Sequence, residues 1–373
     1  MKLVWKNMAF VVLAVFLPVG AAAADPPELK TLPIGAQAPD FQLPGVDGKT
    51  YRLADFAGAK VLVVVFTCNH CPTAQAYEGR LARLHADYRD RGVAVVAISP
   101  NDPKAVRLDE LGYTDLGDSF DEMKIRAKDH GFLYPYLYDG EIQATAKAYG
   151  VLATPHVFIF DAEHKLRYVG RFDDSEVKIV KSHDAKNAVE ALLAGREVAV
   201  PATRVFGCST KWAEKAADAQ KSLARWNAEP VNLEPIDIAE VAKLAANDTN
   251  KLLLVNLWAT WCGPCVAELP EFVTMNRMYR GRNFQLVTIS LDDMGKKEDA
   301  LKVLKENRVT ALNYIWNGDD RDKFAEALDR QWPGPVPYTL VIAPGGKILY
   351  RKTGAVDPLE VKRAIVGYLG RTY

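Results

Sequence analysis

Two Cys-x-x-Cys motifs, each placed directly after a continuous apolar run, constrain the fold of this 373-residue chain more than any other feature. The motifs occupy residues 68–71 and 262–265. The apolar runs before and after them are Lys60–Thr67, Val93–Ser99, Lys251–Trp258 and Phe284–Ser290. Runs of this length predict parallel strands buried on both faces, and the segment after each motif has helical spacing. The sequence therefore predicts two β-α-β units, each with a pair of thiols at the turn from strand to helix.

A proline leads into a further strand downstream of each motif, at Pro155 and at Pro337. A turn and a second strand follow each proline, which predicts a β-hairpin in both halves. Because proline cannot donate to the ladder of a central strand, a cis-proline at a functional site explains both positions better than a loop that ends there. The backbones of Thr154 and Val336 would then be available to a bound peptide. The helices expected to close the two halves are Ala185–Ala194 and Pro358–Leu369.

The first residues have the pattern of a cleaved secretory signal. Lys2 and Lys6 precede the apolar stretch Met8–Val19, and a run of alanines ends at Ala24. A membrane anchor is the alternative, but a spanning helix needs about 20 apolar residues. We expect cleavage after Ala24, a periplasmic location in which disulfides persist, and no stable membrane insertion of the product.

The composition is that of a folded protein of about two domains. Apolar residues make up 49% of the chain, and 47 basic side chains balance 47 acidic ones. This balance argues against a nucleic-acid partner, which needs a basic face. No glycine-rich nucleotide loop occurs, and no cofactor is expected. The predicted organisation is a signal peptide at 1–24, a first domain at 25–205, a connector with some helix at 206–230 and a second domain at 231–373, whose first helix includes Ile236–Ala246.

The second half resembles the thioredoxin superfamily, in particular thioredoxin-like reductases of the TlpA/ResA type. The matching residues are Trp261-Cys-Gly-Pro-Cys265, Glu268, Pro270 and Val336-Pro337. The resemblance implies a thioredoxin fold and disulfide exchange through Cys262 and Cys265. The residues it implies for contact with substrate are Trp261, Val336 and Pro337.

Two polar residues accompany the second motif. Glu268 matches a glutamate of TlpA-type proteins and could relay a proton to Cys265, with its pKa raised by partial burial. The alternative is a surface carboxylate in the first turn of a helix, where negative charge is favoured in any case. Asn256 stands where cytosolic thioredoxins have a buried aspartate, and we expect it to be structural.

The first half resembles the redoxin/AhpC-TSA superfamily, in particular a peroxiredoxin-like group with a CxxCP motif. The matching segments are Ala38–Phe41, Phe66–Pro72, Pro135–Asp139, Ala148–Gly150, Thr154-Pro155 and Gly207–Trp212. True peroxiredoxins carry Pro-x-x-x-Thr-x-x-Cys. If Cys71 takes the place of their peroxidatic cysteine, Cys68 stands at the threonine position and Val64 at the proline position. Together the two resemblances predict an α/β protein of two tandem thioredoxin-like folds, each a central mixed β-sheet flanked by helices.

The two thiols of each motif are expected to differ in reactivity. A cysteine at a helix N-terminus has a lowered pKa because amide N–H groups and the macrodipole stabilise the thiolate. We expect Cys68 and Cys262 to hold these positions and to attack disulfides, with Cys71 and Cys265 as resolving partners.

His70 lies between the first two cysteines, and its imidazole could modulate the thiolate. Stabilising the thiolate makes a disulfide more oxidising, so we hypothesise that electrons flow from the second pair to the first. A solvated residue at the helix start is the alternative. A copper or zinc site that uses His70 and His156 is a further alternative, because copper-handling Sco-type proteins combine two cysteines with a distant histidine on a related fold.

The fifth cysteine, Cys208, follows the last helix of the first domain. It could resolve an oxidised Cys68 or Cys71, pair with a partner protein, or be an inert buried thiol. The function expected for the whole chain is that of a periplasmic thiol-disulfide oxidoreductase. By resemblance, its substrates would be disulfides of exported proteins, in cytochrome c or metal-site assembly, and a membrane thiol-electron donor would recharge it. A thiol-dependent peroxidase and a copper- or zinc-binding module are the alternatives.

Overall fold

The computed structural model describes residues 29–140, 142–176 and 179–372. The predicted signal peptide, residues 1–24, lies outside the described residues. Across the part that is described, no helix has both the length and the apolar character needed to cross a membrane.

The N-terminal domain is built on a five-stranded mixed sheet in the order β5-β4-β3-β7-β8. Its strands are β3 (Val61–Phe66), β4 (Val93–Ser99), β5 (Tyr136–Tyr138), β7 (His156–Phe160) and β8 (Leu166–Gly170). The first three are parallel, and the last two form the predicted antiparallel hairpin. Every side chain of β3 is at most 2% exposed, as expected for a central strand covered on both faces.

Helices cover both faces of this sheet. They are α1 (Pro72–Tyr88), α2 (Phe120–His130), α3 (Ala144–Tyr149) and α4 (Asp184–Leu193). Side chains of α1, α2 and α4 share one core cluster, whereas α3 belongs to the cluster on the opposite face. Two short ribbons complete the domain: β1 (Gln42–Pro44) with β2 (Thr50–Arg52), and β6 (Ala153–Thr154) with β9 (Cys208–Ser209).

The C-terminal domain repeats this plan with six strands, in the order β10-β13-β12-β11-β14-β15. The strands are β10 (Glu234–Ile236), β11 (Leu252–Trp258), β12 (Phe284–Ser290), β13 (Leu312–Trp316), β14 (Tyr338–Ile342) and β15 (Ile348–Thr353). Helix α5 (Ala216–Asn227) precedes this domain, whose own helices are α6 (Ile238–Ala246), α7 (Gly263–Tyr279), α8 (Lys297–Glu306), α9 (Arg321–Leu328) and α10 (Pro358–Leu369). α7, α8 and α10 share one core cluster, and α6 and α9 share the other. The predicted fold class, two tandem thioredoxin-like α/β domains, is confirmed.

One predicted element begins elsewhere than expected. The sequence predicts Ile236 in the first helix of the second domain, but this residue ends the edge strand β10. The helix starts at Ile238 because the Asp237 side chain accepts a hydrogen bond from Glu240 N (2.9 Å), which forms an N-cap. Pro235, which has no N–H, is tolerated in a strand at the sheet edge.

The predicted connector, residues 206–230, is only partly a connector. Its first part pairs with the N-terminal domain, where Cys208 lies opposite Thr154 in the β6-β9 ribbon. Its second part forms α5, as the expectation of some helix anticipated.

The two domains meet where α7 ends. Tyr279 Oη donates to Thr114 O (3.1 Å), and the Arg282 guanidinium donates to Gly112 O (2.7 Å). Near the chain end, Arg371 donates to the Asp115 carboxylate (2.6 Å), and this pairing helps to hold the pKa of Asp115 below its usual range despite the opposing effect of burial. All three contacts reach the N-terminal domain in one loop, residues 112–115, which lies between β4 and α2.

Candidate active sites

The cysteine at the start of α1 is Cys71, and the expectation that Cys68 would hold this position is wrong. Cys71 is the N-cap, and its Sγ accepts from Ala74 N (3.5 Å). The physical reason is Pro72, which occupies the first helical position, where its missing N–H costs nothing, and biases the preceding residue toward extended backbone. In the second motif the proline precedes Cys265, and the helix starts at Gly263, directly after the first cysteine. In the first motif the helix starts only after the second cysteine.

A buried carboxylate, Asp118, fixes the turn that carries the first motif. Its Oδ1 accepts from the backbone N–H groups of Asn69 (2.9 Å) and His70 (3.0 Å). Its Oδ2 lies 2.5 Å from His70 Nδ1 and accepts from Asn101 Nδ2 (2.7 Å). His70 is 1% exposed, so the alternative of a solvated residue at the helix start is wrong.

The surroundings of the first site shift the pKa values of its two thiols in opposite directions. Burial raises the pKa of Cys68, and the hydrogen bond with Cys71 and the charge of Asp118 raise it further. Burial acts in the same direction on Cys71, but hydrogen bonds from Cys208 and Cys68 and the charge of His70 outweigh it and hold the pKa of Cys71 well below its usual value. Burial lowers the pKa of His70, yet Asp118 raises it by more. The groups around this site therefore favour the thiolate form of Cys71 over that of Cys68.

Both thiols contact the residue before the first cis-proline. The Thr154-Pro155 bond is cis, as predicted. Cys68 Sγ lies 3.2 Å from Thr154 Oγ1, and Cys71 in its thiol form donates to Thr154 O (3.3 Å). The backbone at Thr154 thus lies against the cysteines, as expected for a residue that would hold a peptide strand.

The chain itself covers this site with residues 207–212, hereafter the covering segment. Cys208 in this segment packs against the cluster of Cys68 and Cys71. Lys211 N donates to Asn101 Oδ1 (2.9 Å), and Gln143 Nε2 donates to Lys211 O (2.9 Å). The segment is therefore tied at its far end to the same asparagine that binds Asp118.

Little space remains beside the first thiol pair. The cavity next to Cys68 has a volume of about 10 Å³ and is lined mainly by apolar and aromatic side chains. Such a cavity holds about one water molecule. Cys71 is fully buried, so a protein substrate cannot reach it without displacement of residues that surround it, among which is Cys208 of the covering segment.

The metal alternative stays open through His70 Nε2, which has no hydrogen-bond partner within the described residues. Cys68, His70 and Asp118 each bring a ligand atom within 4.8 Å of the others. Bonds of about 2.0 Å to a tetrahedral zinc ion would separate two ligand atoms by about 3.3 Å. His70 Nδ1 and Asp118 Oδ2 are 2.5 Å apart, which is a hydrogen-bond distance. His156 Nδ1 accepts from Leu152 N (3.4 Å), and burial lowers the pKa of His156 to about 3. Its Nε2 has no hydrogen-bond partner within the described residues.

The second thiol pair has the expected placement. Cys262 is the N-cap of α7, and its Sγ accepts from Cys265 N (3.3 Å). The two cysteines form a disulfide with a Cα–Cα separation of 5.3 Å. Asp292 anchors the preceding turn, because its carboxylate accepts from both Thr260 N (2.9 Å) and Thr260 Oγ1 (2.7 Å).

Glu268 is buried with 7% of its surface exposed, so the alternative of a surface carboxylate is wrong. Its Oε1 accepts from Asn256 Nδ2 (3.1 Å), and its Oε2 accepts from Val356 N (3.2 Å). Burial raises the pKa of Glu268, with the two hydrogen bonds opposing that rise. Glu268 lies three residues after Cys265, on the same side of α7, which suits exchange of a proton with that thiol.

We expect Glu268→Gln to slow disulfide exchange at the second site by about tenfold or more, since a positioned acceptor for the proton of Cys265 contributes at least this much. The pH profile of the exchange rate, measured by stopped flow with a small disulfide, should lose its acidic limb. Glu271→Gln is the matched control, because Glu271 is exposed on the same helix. Equal rates and profiles for both variants would remove Glu268 from the proton transfer.

The second site is open where the first is covered. Trp261 is 63% exposed beside the disulfide, and Cys262 is 6% exposed, compared with 1% for Cys68 and 0% for Cys71. The Val336-Pro337 bond is cis, as predicted. Val336 is half-buried, and β14 begins only at Tyr338, so within the described residues no strand pairs with Val336. An extended peptide therefore has a free backbone edge at this position.

No sequence pattern predicts Asp118, Asn101 or Gln143 as residues of the first site. Asp118 lies 48 residues after His70, and no local spacing links it to the first motif. Proline at position 72 is the signal that could have identified Cys71 as the N-cap.

Comparison with known proteins assigns each half to a family. Residues 34–169 match the AhpC/TSA family, and residues 238–365 match the Redoxin family. The thiol-disulfide oxidoreductase ResA of Oceanobacillus iheyensis is 33% identical over 112 residues, which are 30% of this chain and 54% of that protein. ResA of Geobacillus thermodenitrificans is 26% identical over 38% of this chain and 71% of its own. The chain thus spans about half the length of the Oceanobacillus relative.

A solved structure is also similar. An uncharacterized conserved protein from Geobacillus kaustophilus is 40% identical, and the match covers 48% of this chain and 92% of that protein with a TM-score of 0.44.

Two mixed sheets, each with a cis-proline and a Cys-x-x-Cys motif at the start of a helix, define a pair of thioredoxin-like domains. The chain belongs to the thioredoxin superfamily, as a tandem of an AhpC/TSA-type domain and a redoxin domain.

Proposed function

We propose that the chain is a thiol-disulfide oxidoreductase that reduces disulfides of other proteins through Cys262 and Cys265. The observation that carries this proposal is the open second site, with Cys262 as the N-cap of α7 and the exposed Trp261 beside it. The Cys262 thiolate attacks a substrate disulfide, and Cys265 then attacks the mixed disulfide and releases the reduced substrate. Similarity to proteins named thiol-disulfide oxidoreductase supports the same reaction.

The proposal includes a setting for this reaction. The signal pattern at residues 1–24 favours export to the periplasm, where the substrates would be exported proteins of the cytochrome c or metal-site assembly type. Because each cycle oxidises the Cys262–Cys265 pair, a membrane thiol-electron donor would have to reduce it again.

The position of the second site relative to the domain interface favours external partners. Cys262 and Tyr279 lie at opposite ends of α7, about 25 Å apart for a helix of 17 residues. The contacts of Tyr279 with the N-terminal domain are therefore remote from the disulfide.

The Cys265→Ala variant tests this proposal by trapping substrate. Without Cys265 the mixed disulfide on Cys262 has no resolving thiol, so reduced variant mixed with insulin should accumulate a covalent adduct visible on a non-reducing gel. Cys71→Ala is the matched control and should accumulate none. Absence of an adduct on Cys262, with the variant folded as the parent, would refute the proposal.

A second candidate function, a thiol-dependent peroxidase, is favoured by Cys71 alone. Its lowered pKa and its place at the N-cap of α1 suit attack on a hydroperoxide. Peroxide consumption by the reduced chain, compared with that of Cys71→Ser, measures this activity, and equal consumption would dismiss it.

A further inference from the structure

The strand beside the first cis-proline already has a partner. Cys208 pairs with Thr154, and Ser209 pairs with Ala153, in an antiparallel register. This is the edge at which an extended peptide would bind by strand addition. The chain thus places a cysteine of its own where a bound substrate would place the sulfur to be attacked.

Gly207 makes this close approach feasible. Its φ is +145°, and a Cβ at this position would lie 2.1 Å from Thr154 O, well inside van der Waals contact. Only glycine therefore allows the covering segment to lie against Thr154. Beyond Cys208, the side chain of Lys211 donates to Glu110 Oε1 (2.6 Å), which fixes the end of the segment.

The three sulfurs form one cluster with Cys71 at its centre. Hydrogen bonds from both Cys68 and Cys208 reach Cys71. Cys68 itself contacts Cys71 and Thr154. Cys71 and Cys208 are both next to Thr154: the Cys71 thiol contacts Thr154 O, and the backbone of Cys208 pairs with the backbone of Thr154. Cys208 is half-buried, whereas the other two thiols are enclosed.

We propose that residues 207–209 are a built-in substrate strand and that Cys208 is the intramolecular partner of Cys71. The N-terminal site then reacts with low-molecular-weight oxidants through Cys208 and excludes protein disulfides. This assignment concerns the first domain and stands whether or not the second site reduces proteins.

The chemistry balances with a low-molecular-weight disulfide as oxidant. Cys208 first exchanges with it, so that one half of the oxidant is bonded to Cys208 Sγ and the other leaves as a thiol. The Cys71 thiolate then attacks Cys208 Sγ, the Cys71–Cys208 bond forms, and the second half leaves as a thiolate. Two thiols of the chain are oxidised, and one small disulfide is reduced to two small thiols.

Peptide mapping of the full-length chain tests the pairing. The reduced chain is treated with oxidised glutathione, blocked with N-ethylmaleimide and digested with trypsin. Cys68 and Cys71 share the peptide 61–80, whereas Cys208 lies in 205–211, so a link between these peptides reports a bond to Cys208. We expect this link in the parent and in Cys68→Ser, and its loss in Cys71→Ser. Absence of the link from both the parent and Cys68→Ser, or its persistence in Cys71→Ser, would overturn the assignment.

A glycine substitution tests the covering role independently. Gly207→Ala should displace the segment, lower the yield of the linked peptides about tenfold and increase the labelling of Cys71 by N-ethylmaleimide. Gly58→Ala is the control, because a Cβ at Gly58 meets no atom within 4 Å. Circular dichroism establishes that each variant is folded. A folded Gly207→Ala chain with unchanged linkage and labelling would show that the segment does not control access.

Discussion

Asp118→Asn is expected to destabilise the chain by about 3–5 kcal/mol, the usual cost of breaking a buried ion pair from one side. The Asp118 carboxylate accepts two backbone and two side-chain hydrogen bonds, and it is 1% exposed. An asparagine would turn an N–H group toward one set of these donors. Urea unfolding followed by circular dichroism measures the loss, with Asp121→Asn as the control, because the Asp121 side chain is 88% exposed.

The same substitution should raise the pKa of the Cys71 thiol. Without the carboxylate, burial deprotonates His70, and the positive charge that favours the thiolate is lost. Absorbance at 240 nm, titrated in a Cys262→Ser/Cys265→Ser background, follows thiolate formation. Each unit of rise lowers the thiolate fraction about tenfold at a pH below the pKa. An unchanged titration in a folded variant would contradict the role given to Asp118.

The stability loss should depend on pH with a definite sign. The pKa of Asp118 is lowered from 3.8 by the folded state, with His70 and Asn101 outweighing burial, so its contribution is present above that value and disappears as the pH falls. The pKa of His70 is raised from 6.5, so its contribution is present below that value and disappears as the pH rises through the folded pKa. The effect of Asp118→Asn is therefore largest between about pH 4 and 6.5.

Cys262→Ser is expected to lower the rate of protein-disulfide reduction by at least about 1000-fold, as loss of an attacking nucleophile does. The serine hydroxyl remains protonated at neutral pH and cannot form the mixed disulfide. Insulin turbidity with dithiothreitol as the electron source measures the rate. Cys71→Ser is the matched control and should retain the parent rate, since the covering segment closes that site to proteins. Equal losses in the two variants would contradict the division of labour between the sites.

Short sequence patterns predict the strands, the cis-prolines and one helix start because each of these features depends mainly on neighbouring residues. Continuous apolar runs located the strands β3, β4, β11 and β12 to within a residue. The position of proline before a central strand predicted both cis bonds. The second motif, Cys262-Gly-Pro-Cys265, has its helix start where the thiolate argument required it.

Contacts between distant segments explain what sequence could not predict. Asp118 reaches the first motif from a loop that no spacing rule connects to it. The covering segment looked like a connector because it is polar and short of apolar periodicity, yet backbone pairing and the glycine at 207 hold it against Thr154. The Cys-x-x-Cys spacing is the same in both halves and does not identify the N-cap cysteine, which depends on the position of proline: Pro72 places the helix start after Cys71.

The central claim is that the second site is open to proteins and that the chain covers its own first site. The most direct test is to map which of the five cysteines form disulfides, and with what, in the unmodified chain. The reduced chain is divided, and one portion is given excess insulin and the other oxidised glutathione, each followed by trapping and tryptic mapping at early times. We predict that insulin oxidises the cysteines of peptide 252–277 first and forms no disulfide with peptide 61–80. Oxidised glutathione should in addition produce a disulfide between peptides 61–80 and 205–211. Insulin bonded to Cys71 in peptide 61–80 would contradict it.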